Sequence, residues 1–181
     1  MILDGGPVGI GVESTIVDVS GDVPTLLRPG AITMEMLRET VGRVEIDPAI
    51  QAPPSADLRP KAPGMKYRHY APHADLQLVE GETDKVVETI NALVKEKLAE
   101  GKKVGVICTD ETKDRFPQGE VRSVGLRAKE ETIAHNLFAV LREFDDLDVD
   151  CIYSESFSKD HLGQAIMNRL TKAAGYHVLK V

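Results

Sequence analysis

No stretch of this 181-residue sequence approaches the roughly 18 to 20 consecutive apolar residues that a membrane-spanning helix needs, so no span and no membrane partner are expected. The opening residues, Met1-Ile2-Leu3-Asp4-Gly5-Gly6-Pro7, lack the basic flank of a secretory signal, which predicts a soluble, cytoplasmic protein. Cysteine is scarce. Cys108 and Cys151 each lie in an apolar run, which points to two buried free thiols rather than a disulfide or metal ligands in a reducing compartment. Basic residues are outnumbered, 22 against 29 acidic, for a net charge of −7, and this argues against a surface that binds nucleic acid over its whole extent. Any RNA contact would be local or made with a partner. There is no Walker motif, and Gly9-x-Gly11 precedes a strand rather than a helix, so no dinucleotide fingerprint is present. His73, His135, His161 and His177 are scattered without ligand spacing and read as surface or packing residues, so no protein-held metal is expected.

What is present is a 42% hydrophobic share, enough for one core and a smaller appendage. From Leu76 onward, short apolar runs alternate with longer stretches of helical period. Leu76 to Val79 reads as a strand, and Val86, Val87, Ile90, Leu93, Val94 and Leu98 form one helix face that Gly101 ends. Val104 to Cys108 is an apolar strand, followed by a short polar stretch with helical potential ending near Phe116-Pro117 and a weak strand at Val121 to Val124. Ile133, Leu137, Val140, Leu141 and Phe144 mark a second helix, Val149 to Tyr153 a strand, and Leu162, Ile166, Leu170 and Ala173 a third helix stopped by Gly175 before a closing strand, Tyr176 to Val181. Right-handed crossovers between such strands predict an α/β fold: a Rossmann-like three-layer domain over residues 76–181 with a mostly parallel sheet.

Residues 1–46 read differently. Val8 to Val19 and Val23 to Leu27 predict a β-hairpin around Ser20-Gly21-Asp22, followed by a short helix capped by Thr33 and closed at Gly42. A lone hairpin is marginal in water, so further structure before Met1 is expected. Its unpaired edge also invites homodimerisation. Residues 47–75 form a linker dense in proline, expected to run extended along a surface and to mark the domain boundary.

Three segments could carry chemistry. The linker's end, Lys61 to Pro72, interleaves Lys66, Arg68 and His69 with Tyr67 and Tyr70, and no acidic residue lies between Asp57 and Asp75. Cations beside aromatic rings suit a planar base joined to phosphates, although a solvated linker with packed tyrosines fits equally well. In Glu13-Ser14-Thr15-Ile16-Val17-Asp18, Ser14 could bind a ligand carboxylate or phosphate, or its hydroxyl could be satisfied within the strand layer. Leu27-Arg28-Pro29-Gly30-Ala31 ends a strand with one cation and a Pro-Gly turn, a geometry that aims Arg28 back over the sheet or leaves it on the surface.

Together these motifs, with Leu162-Gly163-Gln164-Ala165-Ile166-Met167-Asn168-Arg169-Leu170 and Lys172-Ala173-Ala174-Gly175, resemble the long, two-domain form of the threonylcarbamoyl-AMP synthase family across nearly the whole chain. The resemblance implies a nucleotidyltransferase that joins L-threonine, bicarbonate and ATP into threonylcarbamoyl-AMP with release of pyrophosphate. Mg²⁺ would accompany the ATP, and downstream tRNA-modifying proteins would take the adenylate to threonylcarbamoyladenosine. It further implies Ser14 as a threonine ligand, Arg28 and Tyr67 as ATP contacts, and Lys66, Arg68, His69 and Tyr70 as a linker gate over the site. It assigns no general base.

The family's upstream half, with its Lys-x-Arg motif, has no counterpart before Met1, so the chain is expected to begin late in the synthase domain and to be inactive alone. Two other readings remain open at this point. One is a non-catalytic α/β module that docks tRNA or partner proteins. The other is a free-standing nucleotide-binding domain with its site at the strand ends near Thr109 and Ser154, although Ser154 to Ser158 fits better as the lead-in to a helix capped by Ser158 or Asp160.

Overall fold

The computed structural model describes residues 1, 3–6, 8–50, 61 and 70–181. Most of the linker, including Lys66, Tyr67, Arg68 and His69, lies outside the described residues. A strand that is apolar at every position belongs in the middle of a covered parallel sheet, and Val104–Cys108 behaves in that way. Its Val104, Val106 and Cys108 pack on one side and Ile107 on the other.

In chain order the elements are β1 (Ile16–Asp18), β2 (Thr25–Arg28), α1 (Met34–Val41), β3 (Glu45–Ile46), β4 (Asp75–Glu80), α2 (Thr83–Ala99), β5 (Val104–Cys108), β6 (Glu120–Ser123), α3 (Glu130–Asp146), β7 (Cys151–Glu155), α4 (His161–Ala173) and β8 (Val178–Lys180). Short 3₁₀ turns occupy Pro48–Ile50 and Lys113–Arg115. The larger sheet runs β6-β5-β7-β4-β8 with every neighbour parallel. One of its faces packs on α2 through Val86, Val87, Ile90 and Val94. The other packs on α3 and α4 through Leu137, Leu141, Phe144, Ile166 and Leu170, which gives the expected three layers.

Close approach explains one glycine in the middle of β5. A Cβ on Gly105 would come within 2.6 Å of the Phe144 ring, so the missing side chain is what lets that ring lie on the sheet. Cys108 is fully buried on the opposite face of the strand, and burial pushes its thiol up to about 12. Both cysteines are free.

The smaller sheet is β1-β2-β3 over a core of Leu26, Leu27, Met34, Val44 and Ile50. The hairpin turn is fixed by Asp18, whose Oδ1 accepts from the Ser20 amide at 3.0 Å and hydroxyl at 2.6 Å. Thr33 caps α1, its Oγ1 accepting from the Met36 amide, and Gly42 ends the helix at φ +78.

Three expectations change, two of them in this region. The first strand does not run from Val8 but only from Ile16, because Gly11 (φ +77) presses its backbone against Ala134 and His135 of α3, where a Cβ would meet atoms at 2.4–2.5 Å. A third strand was not foreseen. β3 is held beside β2 by Glu45 and Asp47 amides that donate to the Pro24 and Leu26 carbonyls. The strand expected from Val149 begins at Cys151 instead, since Asp148 is left-handed and the Asp150 carboxylate takes the Lys103 amide.

Leu3, Val8, Ile10, Val19, Ile32, Met36 and Val41 are exposed, all in the N-terminal part. Among the described residues no helix is long and apolar enough to cross a membrane. Because the Phe144 ring fills the space over Gly105 with almost no exposure, Phe144→Ala should lower unfolding free energy by about 3–5 kcal/mol, read by denaturant unfolding. A loss well under about 1 kcal/mol would mean that α3 is not packed on β5 in this way.

Candidate functional site

Arg28 ends β2 next to the Pro29-Gly30 turn, which directs its guanidinium across the strand layer toward Ser14. Its Nε donates to the Ser14 carbonyl oxygen at 2.9 Å and its Nη2 to the Ser14 hydroxyl oxygen at 3.0 Å. The two candidate residues named from separate motifs therefore form one bidentate unit. The turn can lie this close because residue 30 has no side chain: a Cβ there would meet the Thr15 amide nitrogen at 2.4 Å and the Glu13 carbonyl at 2.5 Å. The Thr15 hydroxyl donates to the Ile32 carbonyl and accepts from the Ile32 amide, which closes the clamp between residues 13–15 and 28–32.

A second layer of charge comes from α4. Arg169 has a side chain only 4% exposed, and its Nε donates to the Glu13 carboxylate. Its Nη1 donates to Asn168 Oδ1 at 2.7 Å and its Nη2 to the Pro29 carbonyl at 3.3 Å. Lys172, one turn further along, is 7% exposed. Burial holds its ammonium below the usual lysine range, with Arg169 and Arg28 adding to the effect and Glu13 opposing it. Three cations thus crowd around one carboxylate, an arrangement suited to an anionic ligand.

A cleft of about 350 Å³ opens beside α4, lined among others by Ile50, Lys159, Asn168, Lys172 and Tyr176. The Asn168 amide also donates to the Ile50 carbonyl at 3.1 Å, so α4 grips the start of the linker. At the linker's other end, Tyr70 packs its ring on Phe138 at 4.4 Å between centroids, and its carbonyl accepts from Arg142 at 3.0 Å. The structure thus places Tyr70 on α3, consistent with the packing alternative.

The strand ends at Thr109 and Ser154 are closed. Both are fully buried, and the Ser154 hydroxyl donates to the Glu155 carbonyl. Glu155 Oε2 accepts from the Thr109 amide at 3.0 Å and from Arg127 Nη2 at 2.9 Å, while its Oε1 is buried with no partner among the described residues. The protein's own side chains satisfy one another at this position, Glu155 being held by Thr109 and Arg127. Of the two expected capping residues, Asp160 takes the N-cap position of α4, and its amide donates to the Ser158 hydroxyl oxygen at 3.1 Å. Among the described residues no three His, Cys, Asp or Glu side chains converge to hold a metal ion.

Comparison with known proteins bears on this junction. Residues 32–175 match the family model described as threonylcarbamoyl-AMP synthase, C-terminal domain. This chain belongs to the threonylcarbamoyl-AMP synthase family. Proteins named threonylcarbamoyl-AMP synthase from Bacillus subtilis and Pyrococcus abyssi are 44% and 46% identical over 99% of this chain. The chain spans about half the length of these relatives, 50% and 51%. A crystal structure of P. abyssi Sua5 complexed with L-threonine superposes with a TM-score of 0.87 at 45% identity, covering 98% of this chain and 50% of that one. That likeness covers 98% of this chain and so includes both sheets.

Glu13, Arg169 and Lys172 lie within the motifs named above, but the motifs alone assign them no role. A signal was available. Arg169 lies three residues after Ile166 and four before Ala173, on the apolar stripe of α4, where a charge needs a buried partner.

The closed strand end makes a test by pH. Burial raises the Glu155 carboxyl above its ordinary 4.5, with Arg127 opposing. A raised carboxyl stabilises the fold below about pH 4.5, and that contribution is lost as pH rises through the folded-state value. The stability of the protein minus that of its Glu155→Gln variant should therefore fall over that window and be flat on either side. A difference independent of pH between 4 and 8, measured by urea unfolding, would show that Glu155 titrates normally.

Proposed function

We propose that this chain carries the C-terminal part of an L-threonylcarbamoyl-AMP synthase, in which Ser14 and Arg28 anchor substrates. The observation that supports it best is the Ser14–Arg28 unit, in which Nε and Nη2 are spent on Ser14 while Nη1 makes no hydrogen bond among the described residues. A guanidinium held on two sides in this way is preorganised to meet an anionic oxygen with its remaining edge. Ser14 is exposed and would take the threonine moiety, and Arg28 the phosphates of ATP.

In the reaction proposed, the threonine amine adds to bicarbonate to give a carbamate and water. A carbamate oxygen then attacks the α-phosphorus of ATP, and pyrophosphate leaves with the electron pair of the broken P–O bond. Such a displacement depends on alignment and on cations placed where negative charge gathers. Arg28 would supply one of these. Mg²⁺ would come with the nucleotide: Glu13, the carboxylate at the site, is already engaged by Arg169, so these residues fit phosphate rather than the ion, and no step is routed through it.

Tyr67 would contact the nucleotide, and Lys66, Arg68, His69 and Tyr70 would form a gate at the linker. Residues 1–46 would belong to the synthase domain, 47–75 to the linker and 76–181 to the accessory domain, in a cytoplasmic enzyme whose product is consumed in tRNA threonylcarbamoyladenosine formation. The exposed apolar row from Val8 to Val41 would be covered by the half of the relatives' length that this chain does not span. Without that half, a second copy could pair there.

The test supplies that half in one polypeptide and follows pyrophosphate release. Release should require ATP, bicarbonate and L-threonine together, and Arg28→Ala should reduce it by about a hundredfold or more, as for loss of a preorganised donor to developing charge. Unchanged turnover in Arg28→Ala would reject the assignment of that residue.

A further inference from the structure

Ser14 and Arg28 lie on the small sheet and its flank, yet the residues next to each are held from the other side of the molecule. Glu13 precedes Ser14 and gives its carboxylate to Arg169, while Pro29 follows Arg28 and gives its carbonyl to the same guanidinium. The Arg169 fork therefore spans the two chain segments that carry the site, one residue away from each functional side chain. Its third nitrogen is fixed by Asn168 Oδ1, and Asn168 in turn holds the Ile50 carbonyl. With every arm of a planar group assigned, its position is determined to within the play of a few hydrogen bonds.

We propose that Arg169 is a positioning residue of the substrate site: through Glu13 and the Pro29 carbonyl it sets Ser14 and Arg28 against each other, so that ligand capture on the small sheet depends on the docking of α4. The identity of the ligands rests on the reading above, but the positioning claim concerns the Ser14–Arg28 unit itself. Lysine could not replace this arginine in full, because a single ammonium can pair with Glu13 but has no rigid second arm for the carbonyl. Glu13 is only partly buried, its side chain 25% exposed, so water can solvate it when the partner is lost. Its removal together with Arg169 avoids leaving a carboxylate without its cation.

The experiment compares Arg169→Met/Glu13→Gln and Arg169→Lys with the unmodified protein by two readouts. In the 181-residue chain, ¹⁵N spectroscopy follows exchange of the Arg28 Nε–H, which donates to the Ser14 carbonyl. In the protein at the relatives' full length, steady-state kinetics give KM for L-threonine and for ATP. The double variant should lose Arg28 Nε–H protection while the amides of β4, β5 and β7 keep theirs. One or both KM values should rise by about ten- to a hundredfold with a smaller change in kcat. Arg169→Lys should fall between.

Retained Nε–H protection with unchanged KM would overturn the proposal, and so would a double variant that loses protection yet binds both substrates as the unmodified protein does. Should the double variant not fold, the lysine variant decides: wild-type KM values would overturn the proposal and raised ones support it. If the unmodified full-length protein made no adenylate, the functional reading would fail while the Nε–H comparison still decided the positioning claim.

Discussion

A guanidinium taken out of water costs several kcal/mol unless each of its donors finds an acceptor, and Arg169 finds three acceptors that lie on two different parts of the fold. The constraint runs in both directions. The packing of α4 on the large sheet brings Arg169 to the small one, and loss of the small sheet would remove two of its three acceptors. Such a pair is weak as a source of net stability, since a well-packed apolar substitute could do as well. Its value is in specifying one arrangement: it fixes which residues of the small sheet face α4, and in what register.

Close backbone contacts reinforce the same junction. Gly11 lies against Ala134 and His135 of α3, and Gly30 lies against residues 13–15, each at a distance that admits no side chain. Val12 packs on the core of the large sheet. The segment from Gly11 to Glu13 is thus sandwiched between α3 and α4 on one side and the Pro29-Gly30 turn on the other. Ser14 is the next residue, the first to emerge from this layer. A site built at the edge of such a sandwich inherits its rigidity, which is what a preorganised substrate cradle requires.

How much of this the sequence announced depends on where the determining contacts lie. β5 is legible to the residue because all five positions are apolar and a polar stretch bounds it on each side. The helices follow from their stripes. β7 starts two residues late because Asp148 is left-handed and the Asp150 carboxylate takes the Lys103 amide, and β3 is invisible because two residues held by carbonyls of another strand carry no periodicity. The shortened first strand reflects a tertiary contact at Gly11 that local β-propensity cannot report. For the site, Ser14 and Arg28 were recognisable from their motifs, but their direct bond was not, since 14 residues and a turn separate them. Arg169 is separated from Glu13 by 156 residues, and only its odd place on an apolar stripe hints at a buried partner.

The account predicts that the two sheets respond to ligand as one body. Hydrogen exchange of the full-length protein with and without L-threonine tests this most directly. Slower exchange should appear in residues 13–15 and 28–32 and equally in α4 around Asn168 to Lys172, although α4 lies on the other sheet. Protection confined to the small sheet, with α4 unchanged at saturating L-threonine, would contradict it.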